Sequence, residues 1–273
     1  MQKNNSCGIV CAYLFKGGMY MLKIVETGNK FGTMNTGTMP KELSRDEKLA
    51  KFKEHRMAVG NEYGFDWHKM FMADQVDKKG TYFEITEDYV EANPNGWTDI
   101  NQDILIITDK LPGVVIGHPV ADCPVVIMQD VKQNVCAIAH CSAELIDKKM
   151  PMMIAEALLD AYKSRDEDII AYISACAGPD WTYNGYPKWA TDRKMWESGI
   201  EVDDNGIFHI NIRKVINNQL RERNISNIQF NMDDTITNPN YYSNCAASPY
   251  GLNDPTKYGR NFSGAFYKVK KMR

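Results

Sequence analysis

The chain has 273 residues, 44% of them hydrophobic, 25% charged and 11% aromatic, an ordinary globular balance with length enough for a sizeable core. A formal net charge of -3 and a pI near 6.0 give no electrostatic case for nucleic acid or an anionic membrane. No run approaches the ~18 continuous apolar residues that cross a bilayer. Seven cysteines, an odd number with no secretory segment ahead of them, point to reduced thiols in a cytoplasmic protein. One domain over residues 1–273 is expected, and nothing in the sequence sets its oligomeric state.

In chain order, Cys7 to Glu26 predicts a hairpin across Lys16-Gly17-Gly18, and the Gly- and Asn-rich stretch Thr27 to Met39 a loop. Ser44-Arg45-Asp46-Glu47 fits a capping box that opens a helix running to about Asn61. Arg56 shares one face of that helix with Leu49, Phe52 and Val59. It is either snorkelling at the stripe's edge or offering a fixed guanidinium to a phosphate or carboxylate. Asp103 to Thr108 and Val114 to Val120 read as strands, and Lys148 to Lys163 as a helix. Ile169 to Ser174 reads as a strand running into Ala177-Gly178-Pro179. Tyr186 to Ser198 has helical character with Gly199 as its stop, and Asn211 to Arg223 is an amphipathic helix. Strands over Asn227 to Met232 and Asn261 to Val269 flank a long polar segment. The fold class expected is α+β, a mixed β-sheet core flanked by helices.

The stretch Gly113 to Leu145 carries most of the chemistry. Two hydrophobic runs flank the polar turn Asp130 to Asn134; Cys123 starts the first and His140 ends the second. Pairing of the runs would bring a thiol and an imidazole to one end of a sheet. There they would be metal ligands or a nucleophile–base pair; the alternative is a buried hairpin with an inert cysteine. His118 is close in sequence, but strand alternation sets residues 118 and 123 on opposite faces unless the strand breaks. His55, His68 and His209 are expected to be surface or structural residues. Dinucleotide, phosphate-loop, His-Glu-x-x-His and Cys-x-x-Cys signatures are all missing from the sequence.

Ala121-Asp122-Cys123-Pro124-Val125 followed by Ala139-His140 resembles the YfiH-type laccase-domain family, also called the polyphenol oxidase or purine nucleoside phosphorylase family. Its pattern is T-A-D-C-x-P-V, a strand, then V-H-A-G-W-R-G. The likeness runs over about residues 30 to 267. Met34-Asn35-Thr36-Gly37 is similar to the family's L-N-x-G, His55-Arg56 to its N-R, and Gln75-Val76-Asp77 to its Q-V-H. Ala177-Gly178-Pro179, Asp234-Thr235 and Gly259-Arg260 are similar to I-G-P, C-T and T-G-R.

The resemblance implies a fold related to cysteine-hydrolase-like folds and one zinc-type ion on Asp77, Cys123 and His140, with copper less well suited. Asp77 departs from the family's histidine, yet a carboxylate remains an acceptable zinc ligand. Without metal, Asp77 could orient His140 in a Cys–His–Asp arrangement. The expected activity is that of a metalloenzyme on a purine nucleoside, by phosphorolysis or by deamination. Arg56, Asn35, Glu144 and Arg260 are the substrate-binding candidates. Two departures remove positive charge: Glu144 stands where G-W-R-G has its arginine, and Ser243-Asn244-Cys245-Ala246 replaces S-x-R-R. At roughly 1.5–3 kcal/mol per charge-assisted bond, that loss harms phosphate binding more than hydrolysis. The alternatives are a cysteine hydrolase or deamidase using Cys123 and His140, and a non-catalytic ligand-binding relative. Multicopper oxidation is disfavoured, since five scattered histidines cannot furnish its ligands.

Overall fold

A computed structural model describes residues 13–14, 19–73, 78–96, 100–248 and 253–270. The Lys16-Gly17-Gly18 turn, most of the strand before it, and Gln75-Val76-Asp77 lie outside the described residues. In chain order the elements are β1 (Tyr13–Leu14), β2 (Tyr20–Glu26), α1 (Arg45–Tyr63), β3 (Met70–Met72), β4 (Tyr82–Glu84), α2 (Glu87–Ala92), β5 (Ile104–Thr108), β6 (Val115–Val120), β7 (Val125–Asp130) and β8 (Val135–His140). There follow α3 (Ala143–Asp147), α4 (Met150–Tyr162), β9 (Ile169–Ile173), β10 (Thr182–Tyr183), α5 (Arg193–Trp196), β11 (Ile200–Val202), β12 (Phe208–Ile210), α6 (Ile212–Glu222), β13 (Asn227–Phe230), α7 (Asn244–Ala247) and β14 (Asn261–Val269).

Two mixed sheets stack face to face, one ordered β1-β2-β14-β6-β3 and the other β13-β9-β7-β8-β5-β4. Period-2 alternation sorts their side chains into three apolar layers. Leu22, Ile24, Ile116, Ala265 and Tyr267 of the first sheet meet Leu105, Ile107, Ile127 and Ile138 of the second. The first sheet's outer face puts Val25, Val115, Phe262 and Phe266 against Phe52 and Val59 of α1. The second sheet's outer face puts Val126, Met128, Ala137 and Ala171 against Ile154 and Leu158 of α4 and Val215, Ile216 and Leu220 of α6. The architecture is therefore α+β in four layers, helix–sheet–sheet–helix. Gly117 is required inside β6, because a Cβ there would stand 2.2 Å from the Phe262 ring.

Local signals explain the main elements. The Ser44–Glu47 capping box opens α1, and Gly64 at φ 75° closes it. The β7–β8 turn is set by Asp130, whose Oδ1 accepts from the amides of Lys132 and Gln133 at 2.8 and 2.9 Å. The segment Tyr186 to Ser198 departs from the helical expectation. Only Arg193–Trp196 is helical, and β10, β12 and β11 nearby form a separate three-stranded sheet.

Candidate functional site

The register of the first sheet places Glu26 beside Ser263 and Ser263 beside His118. Their neighbours Ile24, Ala265 and Ile116 fill the layer between the sheets, so alternation turns this polar row inward as well. From the second sheet, β8 carries Cys136 and Ile138 into the same layer and ends on His140. The His118 and His140 rings face each other at 6.3 Å between centroids. His118 is 1% exposed; its Nδ1 lies 3.2 Å from the Ala73 carbonyl, and its Nε2 is buried without a well-formed hydrogen bond, the Ile138 carbonyl being the nearby acceptor. Burial, then His140, pushes the His118 pKa down to about 3, while the Ala73 and Ile138 carbonyls pull the other way. Burial, then Arg260, lowers His140 to about 4. Both rings are neutral at physiological pH, the state that ligates a metal or accepts a proton.

Cys123 lies in the bend between β6 and β7. Val125 pairs with His140 and the Cys141 amide donates to Pro124 O at 2.9 Å, so Cys123 and His140 share one end of the hairpin. The break that lifts the alternation rule for residues 118 and 123 is present, because β6 ends at Val120 and residues 121–123 bend. Burial, then Asp122 and Cys176, pushes the Cys123 thiol up to about 12, against Arg260 and the Ala143 amide.

Asp122 gathers the walls around this cysteine. Its carbonyl accepts from the Ala177 amide at 2.8 Å, Oδ1 from Thr235 Oγ1 at 2.9 Å and Oδ2 from the Cys245 amide at 2.8 Å. Gly178 belongs to the same wall, since a Cβ there would meet Asp234 Oδ2 at 2.2 Å. Arg213 and Lys257, which sequence reasoning missed, hold the segment behind it. Arg213 donates to the carbonyls of Asn231, Cys176 and Asp233; Lys257 donates to those of Thr235, Asn238 and Tyr241. No local pattern marks either residue, because loop carbonyls accept from any cation the fold delivers.

The substrate-binding candidates separate. Arg260 stays at the site: its charge acts on both Cys123 and His140, and its Nη1 donates to Asn244 Oδ1 and Gly259 O at 2.8 Å. The Asn35 loop is strapped to it, with Arg260 N donating to Thr33 Oγ1 and Met34 N to Arg260 O. Asn35 Oδ1 itself accepts from the Gly37 amide at 2.7 Å as a local cap. Arg56 is a correction to the ligand-holding expectation. It is buried, and its Nη2 donates to Trp67, Met70 and Asn95 carbonyls at 2.7, 2.9 and 3.2 Å, which makes it a clamp between α1 and β3. Glu144 is another correction: it is exposed and ion-paired to Lys78 at 2.7 Å and Lys148 at 3.7 Å. Its charge is thereby largely compensated outside the buried site. His209, as expected, is structural, with Nδ1 3.0 Å from Pro179 O.

The donor set suits a zinc-class ion in kind, with one thiol and two neutral imidazoles. Among the described residues, however, no three His, Cys, Asp or Glu side chains converge closely enough to enclose an ion, and Asp77 lies outside them. Also among the described residues, Cys123, Cys136, Cys141, Cys176 and Cys245 are free thiols, and no helix is long and apolar enough to cross a membrane.

Comparison with known proteins agrees with this architecture. The solved YfiH of Bacillus licheniformis, a hypothetical protein, superposes with a TM-score of 0.66 at 17% identity, covering 92% of this chain and 93% of that one. YlmD of Geobacillus stearothermophilus gives 0.69 at 14%, with 91% of each chain covered. The Neisseria meningitidis protein NMB0706 gives 0.63 at 14%, covering 92% and 96%. At these identities the likeness is one of fold. No curated protein matches the sequence. The family pattern described as multi-copper polyphenol oxidoreductase laccase matches residues 27–265, and the chain belongs to that family.

Proposed function

We propose that the chain is a single-ion metalloenzyme acting on purine nucleosides, with Asp77, Cys123 and His140 as the residues that hold a zinc-class ion. The observation that carries the reading is the placement of Cys123 and His140 at one end of the β7–β8 hairpin, with the buried His118 ring 6.3 Å from that of His140. Such an ion supplies Lewis acidity to the substrate and to water when bound. His140 is kept neutral and so free to ligate; His118 offers a buried nitrogen that can take or return a proton. Arg260, braced by Asn244, orients the nucleoside from the other side.

Charge favours deamination, in which adenosine and water give inosine and ammonia, over phosphorolysis. Arg56 is committed to carbonyls and Glu144 stands where the family has arginine, which leaves Arg260, of the two candidate arginines, to meet a phosphate dianion. The cysteine-hydrolase alternative fits less well, because a nucleophilic thiol needs a depressed pKa and that of Cys123 is raised.

The test is metal analysis of the purified protein beside its Cys123→Ala variant, with turnover of adenosine and inosine measured with and without phosphate. About one equivalent of metal lost in the variant, together with phosphate-independent adenosine turnover, is the expected result. Metal-free protein that leaves both nucleosides unchanged would sink the proposal.

A further inference from the structure

On the side of the polar row away from His118, Glu26 opens onto a cavity of about 380 Å3, a volume typical of small-molecule pockets. Its lining includes Asn29, Phe31, Asp233, Asn240 and Tyr241, and none of Cys123, His118, His140 or Arg260. Glu26 is 3% exposed, with Oε1 accepting from the Ala175 amide at 3.1 Å and Oε2 from Asn231 Nδ2. Asn231 Nδ2 also reaches Tyr241 Oη at 3.4 Å, and that hydroxyl donates to Asp233 Oδ2 at 2.9 Å. One network thus joins two carboxyl groups across the cavity floor. Beside Glu26 lies the Tyr172 hydroxyl, 1% exposed and turned to the same carboxyl group.

The shape is built before any ligand arrives. Lys257 fixes the wall through the Thr235, Asn238 and Tyr241 carbonyls, and Asn29 ties the facing loop to it through Pro239 O at 2.7 Å. The charge is mostly acidic. Neither Glu26 nor Asp233 has a salt-bridge partner among the described residues, whereas Lys30 at the rim pairs with Glu62 at 3.3 Å and lies 4.6 Å from the Phe31 ring centroid. An anion would face two carboxyl groups. A cation would find those groups and, beside them, the Tyr241 ring, with the edge of Phe31 left for apolar contact below the Lys30 ammonium.

We propose that this cavity binds a small organic cation, an amine or guanidinium, with Asp233 and Glu26 meeting its charge and Phe31 and Tyr241 its hydrocarbon part. The ligand takes the place of a proton. Burial above all lifts the Glu26 pKa to about 7, with Asp233 adding to the rise and Asn231, Ala175 and Tyr172 opposing it. The other groups facing it are Tyr63, whose hydroxyl meets the Glu26 backbone, Tyr241, and Lys30 at the rim. Cation binding draws the proton off Glu26, so affinity rises with pH, by about tenfold between pH 6 and pH 8 for a group titrating near 7.

Isothermal titration of the full chain with agmatine and putrescine, each at pH 6 and pH 8, tests this, with inorganic phosphate and ribitol as comparison probes. The expected result is amine binding that tightens about tenfold at pH 8, weakens at least tenfold in Asp233→Asn and loses its pH dependence in Glu26→Gln. Asp233 is only half-buried and the wild-type pH series needs no substitution, so the test survives a Glu26→Gln variant that fails to fold. Absence of amine binding at both pH values, binding indifferent to Asp233→Asn, or a preference for phosphate or ribitol would overturn the proposal. Each outcome is independent of the metal site and of nucleoside turnover.

Discussion

Two regions that meet at Asp122 are ordered by different physics. The β7–β8 hairpin is apolar on both faces, with Val125, Ile127, Cys136 and Ile138 toward the first sheet and Val126, Met128, Ala137 and Ala139 toward the helices. Its energy is spread over many small contacts, none decisive alone. The segment 231–241 instead supplies few core side chains and is held mainly by Arg213 and Lys257 against backbone carbonyls. There the energy sits in two side chains, because a buried carbonyl stripped of its donor keeps its full desolvation cost. The hairpin, with its energy so spread, carries Cys123 and His140 at its end; the clamped segment shapes the walls beside them.

Three substitutions can break or sharpen that contrast. Arg213→Ala leaves three carbonyls without their donor and is expected to cost ~3–5 kcal/mol, read by denaturant unfolding. Amide exchange in 231–241 should accelerate more than in β7 and β8. Uniform acceleration across both regions would mean that the clamp serves the whole core.

Glu26→Gln removes a carboxyl whose folded pKa, about 7, lies above its ordinary value of 4.5. Between those values the folded state holds a proton that the unfolded state has released, so this group's contribution falls as pH rises through the window. Wild-type stability relative to the variant should therefore decline from pH 5 to pH 8, by up to roughly 3 kcal/mol at 1.36 kcal/mol per pKa unit. A flat difference across that range would show that Glu26 titrates normally. Ile127→Val, in the middle of the hairpin, should cost only ~1 kcal/mol, with exchange rates raised evenly. A larger, localised loss would erase the distinction between the regions.

How much was legible follows the same division. The hairpin, the α1 capping box and the amphipathic α6 are written as local periodicity and end signals, and they stand where the sequence placed them. The strands β10, β11 and β12 are two or three residues long, too short for alternation to register. Arg56 was readable as facing inward but not as a donor to carbonyls 11, 14 and 39 residues away. For His118 the sequence leaves the outcome conditional, since alternation separates it from Cys123 only if the strand runs on, and β6 ends at Val120. Glu26 did leave a signal: in Leu22, Ile24, Glu26 a carboxylate takes the next place on an apolar face, and such a residue is either paired or functional.

The strand that carries Ser263, the residue between Glu26 and His118, also sets the order of assembly. β14 lies between β2 and β6 in the sheet, its residue 267 pairing with residue 22. Contacts of such sequence separation form slowly, because the loop between them must close first. On the ribosome β2 cannot join β6 until residues 261–269 have emerged, while the β7–β8 hairpin can already have paired. The newly made chain then carries half of the candidate site folded and the other half waiting, with the edges of β2 and β6 open to chaperones and to neighbouring chains.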